Sequence, residues 1–436
     1  MEENEGLKKL WDKFFQRVNG GELLRLAKHT RKYSHAPVFT HRARNISNVT
    51  LTLQFKDGIE WVAKCPSYLG FNDDEDKERC TLVETEIASL LFLQELDGVP
   101  APRIYGYSPD LQNPAQTPYI FMEKFGGISL EQAISNGIER EAMFRCLDGL
   151  ATMRLALRDN RRTAVGSFML WDESGGHTWA LSETLINIDT YFTDSHGWRS
   201  RNYETSLEYF MAQHQLSAAI GREKWSDTKL QMEQRWMVHF YIGLILPLYV
   251  QPDILYEHNR DYGDSYSFFF THLDLHPSSI WVDPKDGHLL GINTDWEFAN
   301  LLPFQAKEHY PSFLADEDGQ WQEECRNIYP DGNAEFQAWR TYYAKQLEKD
   351  AELSWLNARI DAIVRFENMM MNWDRHTLEE LRAVFKLLEE NDVFNQPVPQ
   401  ALCIGSGGRD YRRSEDGAPT GRARACQRGR GMILKL

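Results

Sequence analysis

The first third of the chain alternates apolar and polar residues over short runs, which predicts strands. Residues 49–55 (VTLTLQF) alternate in this way, and residues 59–65 (IEWVAKC) follow after the hairpin turn sequence KDG. The predicted strands cover residues 49–55, 59–65, 103–107 and 119–122, and apolar residues at helical spacing predict one helix at 83–91. Residues 38–125 are therefore predicted to form a small antiparallel sheet with one inserted helix.

After Gly126 and Gly127 the apolar residues recur mainly with a helical period, which predicts a larger, mainly α part. The predicted helices cover residues 130–134, 142–157, 229–246, 334–347, 351–371 and 378–391. Residues 166–222 contain many Ser, Thr and Gly, and we interpret them as loops and short helices that cover a groove.

Four segments follow from these patterns. The first is an N-terminal helical extension, residues 1–37, whose amphipathic helix at 7–18 is expected to pack on the body. The second is the sheet-containing lobe, residues 38–125, and the third is the mainly helical lobe, residues 126–400. The last, residues 401–436, is rich in Gly and Arg without a period, and we expect a disordered basic tail.

Charge narrows the classes of function. The chain has 436 residues, and 48 Lys and Arg against 64 Asp and Glu give a formal charge of -16, which disfavours binding to nucleic acid.

The N-terminal sequence MEENEGLKKLWDKFF fits neither a signal peptide nor an Arg-rich transit peptide. The most apolar stretch, residues 236–250, contains His239 and Pro247 and is shorter than the ~20 residues of a spanning helix. We therefore expect a cytoplasmic protein that binds no membrane.

The six cysteines are scattered without a CxxC pair, which is typical of free thiols in a reducing compartment and not of a zinc site. No disulfide framework is expected.

One run, residues 268–298 (FFFTHLDLHPSSIWVDPKDGHLLGINTDWEF), contains the candidate chemistry. An apolar strand leads into His272 and Asp274, a two-strand pattern follows, and Asp295 ends it. Two carboxylates at the ends of neighbouring strands suit phosphoryl transfer, because one orients or deprotonates the accepting hydroxyl while the other holds Mg²⁺. An isolated HxD pair is more often a capped turn with a structural His. Here the pair is followed in order by two predicted strands and a second Asp, and this ordered set favours a catalytic site.

This run resembles the catalytic loop of the aminoglycoside phosphotransferase and choline kinase group, and it is most similar to the fungal members of that family. The family pattern HxDLHPxN, followed by IDWE, stands here as HLDLHPSS and TDWE. The resemblance implies an α+β, protein-kinase-like two-lobed fold, with a small antiparallel β N-lobe that has one helix and a larger, mainly α C-lobe. It also implies that Asp274 is the catalytic base, that His272 braces the loop and that Asp295 binds Mg²⁺.

Three upstream features extend the resemblance to roughly residues 38–390. Residues 61–64 (WVAK) look like the VAIK strand, which implies that Lys64 binds the α and β phosphates of ATP or GTP. Glu86 then corresponds to the helix Glu that pairs with this Lys, and Met122 and Glu123 fall at the hinge that contacts adenine through its backbone. Plainer alternatives are a surface Lys64 at a strand end and a solvated Glu86.

The chain also departs from the family pattern. Ser279 stands where the family has an Asn that binds the second metal, and a Ser hydroxyl is a shorter and poorer Mg²⁺ ligand. Asn293 and Thr294 replace the usual apolar residues before Asp295. The phosphate-covering turn, residues 41–49 (HRARNISNV), contains no Gly, so an arginine of this turn is expected to supply charge in place of close backbone approach.

The sequence thus predicts a Mg²⁺-dependent phosphotransferase that moves the γ-phosphoryl of ATP or GTP to a hydroxyl of a small molecule. The alternative is a nucleotide-binding pseudokinase or scaffold of the same fold, because of Ser279 and the Gly-free turn. A protein kinase is disfavoured, since HxDLHP replaces HRD and neither DFG nor APE follows Asp295. The sequence leaves open the acceptor, the choice between ATP and GTP, and the oligomeric state.

Overall fold

The computed structural model describes a large part of the chain. The described residues are 11, 14–44, 48–67, 73–160, 162, 164–173, 176–182, 184–186, 199–201, 203, 205–223, 236–243, 246, 268–273, 275–293, 296–303, 311–315, 320–348, 363, 365–366, 369–370, 373 and 377–390. Contacts divide the chain into two units. The first unit consists of Met1–Tyr209 and Tyr266–Asp350, and the second consists of Phe210–Ser265 and Ala351–Leu436.

The first unit contains a five-stranded antiparallel sheet in the order β1-β2-β3-β5-β4. In chain order its elements are α1 (Gly20–Arg31), β1 (Val38–Arg44), β2 (Asn48–Gln54), β3 (Glu60–Pro66), α2 (Asp73–Leu93), β4 (Ile104–Ser108) and β5 (Tyr119–Glu123). The alternating pattern explains the hairpin, since β2 and β3 pair in continuous register from Asn48 opposite Pro66 to Gln54 opposite Glu60. The predicted antiparallel sheet with one inserted helix is confirmed, and α1 is an additional helix.

The two faces of this sheet pack against different helices. Successive side chains of β3 alternate, so Trp61 and Cys65 belong to one cluster and Val62 to another. The first cluster includes residues of α1 and of the segment before it: Trp11, Phe14, Val18, Leu23 and Ala27. The second includes Val83 and Ile87 of α2. The expectation that the N-terminal segment packs on the body is therefore confirmed for its described residues.

The rest of the first unit mixes helices with three small sheets. Its elements are β6 (Ile128–Ser129), α3 (Leu130–Ser135), α4 (Arg140–Asp159), β7 (Gly166–Glu173), β8 (Gly176–Leu181), β9 (Thr184–Ile186), β10 (Arg199–Arg201), β11 (Phe268–Thr271), β12 (Ile280–Val282), β13 (Leu289–Ile292), a 3₁₀ turn (Trp296–Phe298), β14 (Asn300–Pro303), α6 (Ser312–Ala315), α7 (Gln320–Ile328) and α8 (Gly332–Leu347). The sheet orders are β11-β14-β7-β8, β13-β12-β6 and β10-β9.

The interpretation of residues 166–222 as loops and short helices is wrong. This segment contains the strands β7 to β10 and the helix α5 (Ser206–Glu223). Strand β7 pairs with β14, more than a hundred residues later, through Ser167 opposite Asn300. Its buried Phe168 packs against Phe92 of α2, with ring centroids 4.6 Å apart. On its other side β7 pairs with the adjacent β8, from Phe168 opposite Leu181 to Glu173 opposite Gly176. Residues 166–173 (GSFMLWDE) lack the regular alternation of apolar and polar side chains that predicts such a strand.

Several predicted helices are confirmed. Within the first unit α8 packs on α4, where the rings of Phe144 and Tyr342 stack with centroids 3.9 Å apart and Arg140 pairs with Glu335. The described part of the second unit is helical at 236–243 and in α9 (Leu378–Glu390). Most of the predicted helices 229–246 and 351–371, like the predicted tail 401–436, lies outside the described residues.

The fold is α+β, with a small antiparallel sheet and its helix followed by a larger, mainly helical part, as the sequence predicted. The domain boundaries given above stay predictions. Among the described helices, none is long and apolar enough to cross a bilayer.

Candidate active site

Lys64 lies on β3 and points to the face of the sheet that α2 covers. It shares this face with Val62, because side chains two residues apart on a strand point the same way. Glu86 lies on α2 between Val83 and Ile87, which pack against Val62. The Lys64 Nζ donates to Glu86 Oε1 at 2.7 Å, and the two side chains are only 2% and 3% exposed. The alternatives of a surface Lys and a solvated Glu are therefore wrong.

A third charged side chain completes this cluster. Glu297, on the 3₁₀ turn Trp296–Phe298, accepts a second hydrogen bond from Lys64 Nζ at 3.1 Å through Oε2. Its Oε1 accepts from Asn48 Nδ2, on β2, at 3.0 Å. Both contacts are buried. The sheet thus holds the residue that stands two positions after Asp295.

Trp296 fixes the position of this turn. Its side chain is fully buried, its indole Nε1 donates to the carbonyl of Ile292 at 3.2 Å, and its ring stacks on Phe270 of β11 with a 5° interplanar angle. The ring of His272, at the end of β11, meets Trp296 edge-on with centroids 4.5 Å apart. His272 is 4% exposed, so it packs within the loop as the bracing role requires. That role stays a prediction.

The electrostatics of the cluster are unbalanced. One ammonium faces two carboxylates, so the formal charge of Lys64, Glu86 and Glu297 is 1 minus 2, or -1. A buried ion pair is stable only while each charge has its partner and its hydrogen bonds, and removal of one partner leaves an uncompensated charge. The negative charge that Glu297 adds beside Lys64 opposes the approach of another anion.

The end of the catalytic loop lies against the segment that precedes Asp295. Ser279, 1% exposed, donates its backbone N–H to the carbonyl of His276 at 3.0 Å, and its own carbonyl accepts from Asn293 N at 2.9 Å. Strand β12 then pairs with β13, with Ile280 opposite Ile292. Asp274 and Asp295 themselves lie outside the described residues, so their predicted roles as base and Mg²⁺ ligand stay predictions.

Asn293 offers one test of whether the residues present suit a metal. Its Oδ1 is buried and makes no hydrogen bond within the described part of the chain. A hard amide oxygen two residues before a predicted carboxylate ligand suits Mg²⁺, which prefers oxygen donors. The backbone carbonyl of Ser279 contacts this segment, because it accepts the hydrogen bond from Asn293 N. The described residues do not include Asp274 and Asp295. Among the described residues, no three His, Cys, Asp or Glu side chains lie close enough together to hold a metal ion.

The predicted hinge lies within β5. Met122 is fully buried between Val62 and Ile104, its partners on the neighbouring strands, and Glu123 N donates to the carbonyl of Arg103 at 2.8 Å. This N–H is therefore occupied within the protein and is not a donor for a base. Contact of Met122 and Glu123 with adenine stays a prediction.

The predicted phosphate-covering turn is mostly strand. Arg44, which ends β1, stands opposite Val49 of β2, so only residues 45–47 are left for a turn, and these lie outside the described residues. The guanidinium of Arg42 lies over the ring of Trp11, 5.1 Å from its centroid. This arginine is therefore engaged with the N-terminal segment.

Sequence reasoning missed two residues of the site. Asn48 belongs to the predicted covering turn, and Glu297 is predicted either to extend the acidic environment of the metal or to cap the following helix. Neither prediction includes the hydrogen bonds of Glu297 to Lys64 and Asn48. The available signal was weak, because Glu297 follows a predicted metal ligand and Asn48 begins a predicted strand, and neither position reveals a contact across 249 residues of sequence.

Comparison with known proteins found no matching protein-family model and no matching curated protein. Among solved structures, the gentamicin complex of APH(2″)-IIa is 12% identical, covers 86% of this chain and 97% of its own, and has a TM-score of 0.40. A putative aminoglycoside phosphotransferase from Ralstonia eutropha is 12% identical, with 88% and 98% covered and a TM-score of 0.40. Macrolide 2′-phosphotransferase MphH from Brachybacterium faecium is 12% identical, with 86% and 98% covered and a TM-score of 0.37.

These structures are what the chain is similar to, and they belong to the group that the catalytic loop resembles. Similarity to the fungal members stays a prediction.

Proposed function

We propose that this chain is a Mg²⁺-dependent phosphotransferase that moves the γ-phosphoryl group of ATP or GTP to a hydroxyl of a small molecule. The observation that carries the proposal is the buried pair of Lys64 and Glu86, 2.7 Å apart, on the strand and helix where a nucleotide kinase needs them. A lysine buried in this way is desolvated at a cost, and a role in binding phosphate explains its presence inside the lobe.

In the proposed reaction each residue has one task. Lys64 binds the α and β phosphates, and Asp274 accepts the proton of the acceptor hydroxyl as the new O–P bond forms. The bond between the γ phosphorus and its bridging oxygen breaks, and the nucleoside diphosphate leaves. Mg²⁺, when bound, offsets the charge that develops on the phosphates. The residues proposed to hold it are Asp295, Ser279 and Asn293.

The test uses the whole chain with ATP and GTP and a panel of hydroxyl-bearing metabolites, amino sugars included. We expect transfer to at least one acceptor, and we expect Asp274→Asn to remove most transfer while nucleotide binding remains. Transfer at an unchanged rate in this variant would contradict the assignment of the base. Absence of Mg²⁺-dependent nucleotide protection in a thermal melt would contradict the whole proposal.

A catalytically impaired nucleotide-binding protein is the second candidate, and Ser279 is the observation that favours it. Its side chain is 1% exposed and takes the place of the family's metal-binding Asn. In this case the melt would show protection by nucleotide, while no acceptor in the panel would consume it. The two candidates therefore differ in transfer and agree in binding.

We also propose a reducing, cytoplasmic setting. Among the described residues, none of the cysteines Cys65, Cys80, Cys146 and Cys325 forms a disulfide. Burial raises the pKa of the Cys65 thiol to about 12, so it stays protonated and unreactive near neutral pH. Free thiols support this proposal. A disulfide found by mass spectrometry of the protein from its native source would contradict it.

A further inference from the structure

The geometry points to a role for Glu297. We propose that Glu297 sets the metal dependence of nucleotide binding, because its carboxylate competes with the nucleotide phosphates for Lys64. This inference rests on the function proposed above and names a residue that the family resemblance does not assign.

The first step concerns hydrogen bonds. An ammonium has three donors, and the Lys64 ammonium gives two of them to Glu86 and Glu297, at 2.7 and 3.1 Å. A phosphate oxygen that binds Lys64 needs a donor in the same small space. The contact with Glu297 is the longer of the two, so it is the one that we expect a phosphate to replace.

The second step concerns orientation. Glu297 does not reach Lys64 by chance rotation of a surface side chain, since it is 4% exposed and Asn48 holds its other oxygen at 3.0 Å. Asn48 and Lys64 come from adjacent strands, β2 and β3, where Asn48 stands opposite Pro66. The sheet thus presents two donors that fix one carboxylate of a distant turn.

The third step concerns charge. Glu86 alone neutralises Lys64, and Glu297 adds the charge that makes the trio negative. Without a metal, the phosphates of a nucleotide meet this negative charge directly, whereas Mg²⁺ reduces the charge of the phosphates that approach. A carboxylate in this place therefore favours the metal complex of the nucleotide over the free nucleotide.

The experiment compares nucleotide affinity with and without Mg²⁺ in the parent chain, Glu297→Gln and Glu297→Asp, with ATP and GTP as probes. Without Mg²⁺ we expect Glu297→Gln to bind about tenfold more tightly than the parent, since one repulsive charge near the phosphates is removed. With Mg²⁺ the gain should fall to about threefold or less. Glu297→Asp keeps the charge at this position, so its gain without Mg²⁺ should be smaller than that of Glu297→Gln.

Glu335→Gln is the matched control. Glu335 is also a buried carboxylate, paired with Arg140 and with Trp339 Nε1 at 3.0 Å, but it lies outside the Lys64 cluster. We expect it to leave the ratio of affinities unchanged. Asn48→Ala is a second test of the same inference, because it removes the hydrogen bond that orients Glu297 without altering a charge. We expect it to tighten metal-free nucleotide binding by about threefold.

The outcomes separate this inference from the proposed function. Metal-free affinity in Glu297→Gln that is equal to or weaker than the parent's would overturn the inference, as would a gain of equal size with and without Mg²⁺. If Glu297→Gln fails to fold, a metal-free affinity in Asn48→Ala that does not rise would overturn it. A parent chain that binds neither nucleotide with Mg²⁺ would overturn the proposed function and this inference with it.

Discussion

Two buried cations of the first unit have opposite surroundings. Lys64 lies between two carboxylates, whereas Arg154 of α4 is 7% exposed and its Nε has no hydrogen-bond partner within the described part of the chain. Burial lowers the pKa of Arg154 to about 10, so the guanidinium is still charged near neutral pH. Removing the charge of Lys64 should therefore lower the free energy of unfolding, and removing the charge of Arg154 should raise it.

Lys64→Met should destabilise the protein strongly. The substitution keeps most of the side-chain volume but leaves Glu86 and Glu297 as buried carboxylates without their cation. Removal of one partner of a buried ion pair costs about 3–5 kcal/mol of the free energy of unfolding, which urea denaturation at neutral pH measures.

Lys124→Met is the control for this change. Lys124 pairs with Glu60 at 2.7 Å, but these side chains are 33% and 30% exposed. A solvated pair contributes about 0–1 kcal/mol, so this variant should stay close to the parent. A cost at Lys64 no larger than the cost at Lys124 would contradict the buried cluster.

Arg154→Met should raise the free energy of unfolding. A buried charge with an unpaired N–H is unfavourable, and an apolar side chain of similar length fills the same space without that cost. We expect a gain of about 1–2 kcal/mol in urea denaturation. A loss of stability would show instead that the guanidinium holds a partner in solution.

At the scale of elements, the link between β5 and β6 requires one glycine. Gly127 has φ +85° and precedes β6, which pairs with β12 through Ile128 opposite Val282. A Cβ on Gly127 would lie well inside van der Waals contact with the carbonyl oxygen of Val282. Because this carbonyl belongs to the backbone, rotation of a side chain does not relieve the clash.

Gly127→Ala should therefore cost at least about 2 kcal/mol, through a left-handed backbone and a displaced strand. The adjacent Gly126→Ala is the matched control, since its φ is ordinary and a Cβ there meets nothing within 4 Å. This control should be neutral or stabilising by up to about 1 kcal/mol. Thermal melts of the two variants measure the difference, and equal melting temperatures would contradict the close approach.

The elements also show what local sequence can predict. The hairpin of β2 and β3 was predictable, because its partners are adjacent in the chain and its alternation is regular. The helices α4, α8 and α9 were predictable from their helical spacing. Strand β7 was missed although its main partner is the adjacent strand β8, from Phe168 opposite Leu181 to Glu173 opposite Gly176. The reason is local, because residues 166–173 (GSFMLWDE) do not alternate regularly between apolar and polar side chains.

At the scale of the whole molecule, the site itself is a product of distant contacts. The resemblance of residues 268–298 to a known loop was enough to propose Asp274 and Asp295. The contacts of Glu297, however, span 233 residues of sequence to Lys64 and 249 to Asn48. Such contacts between distant residues depend on how the sheet and the 3₁₀ turn pack together. Sequence alone therefore identified the candidate residues of the loop and the pairing of Lys64 with Glu86, but it missed the contacts of Glu297 with Lys64 and Asn48.

The C-terminal residues provide the last prediction. A chain that ends at Pro399 lacks a segment with eight Lys and Arg against three Asp and Glu and with no apolar period, so little core is removed. Its melting temperature should stay within a few degrees of the full chain. A chain that ends at His376 also lacks α9, whose Leu381, Phe385 and Leu388 are buried. At about 1.5–3 kcal/mol for each buried side chain, this second truncation should lower the melting temperature sharply or prevent folding. Equal losses in the two truncated chains would show that residues 400–436 contribute to the core.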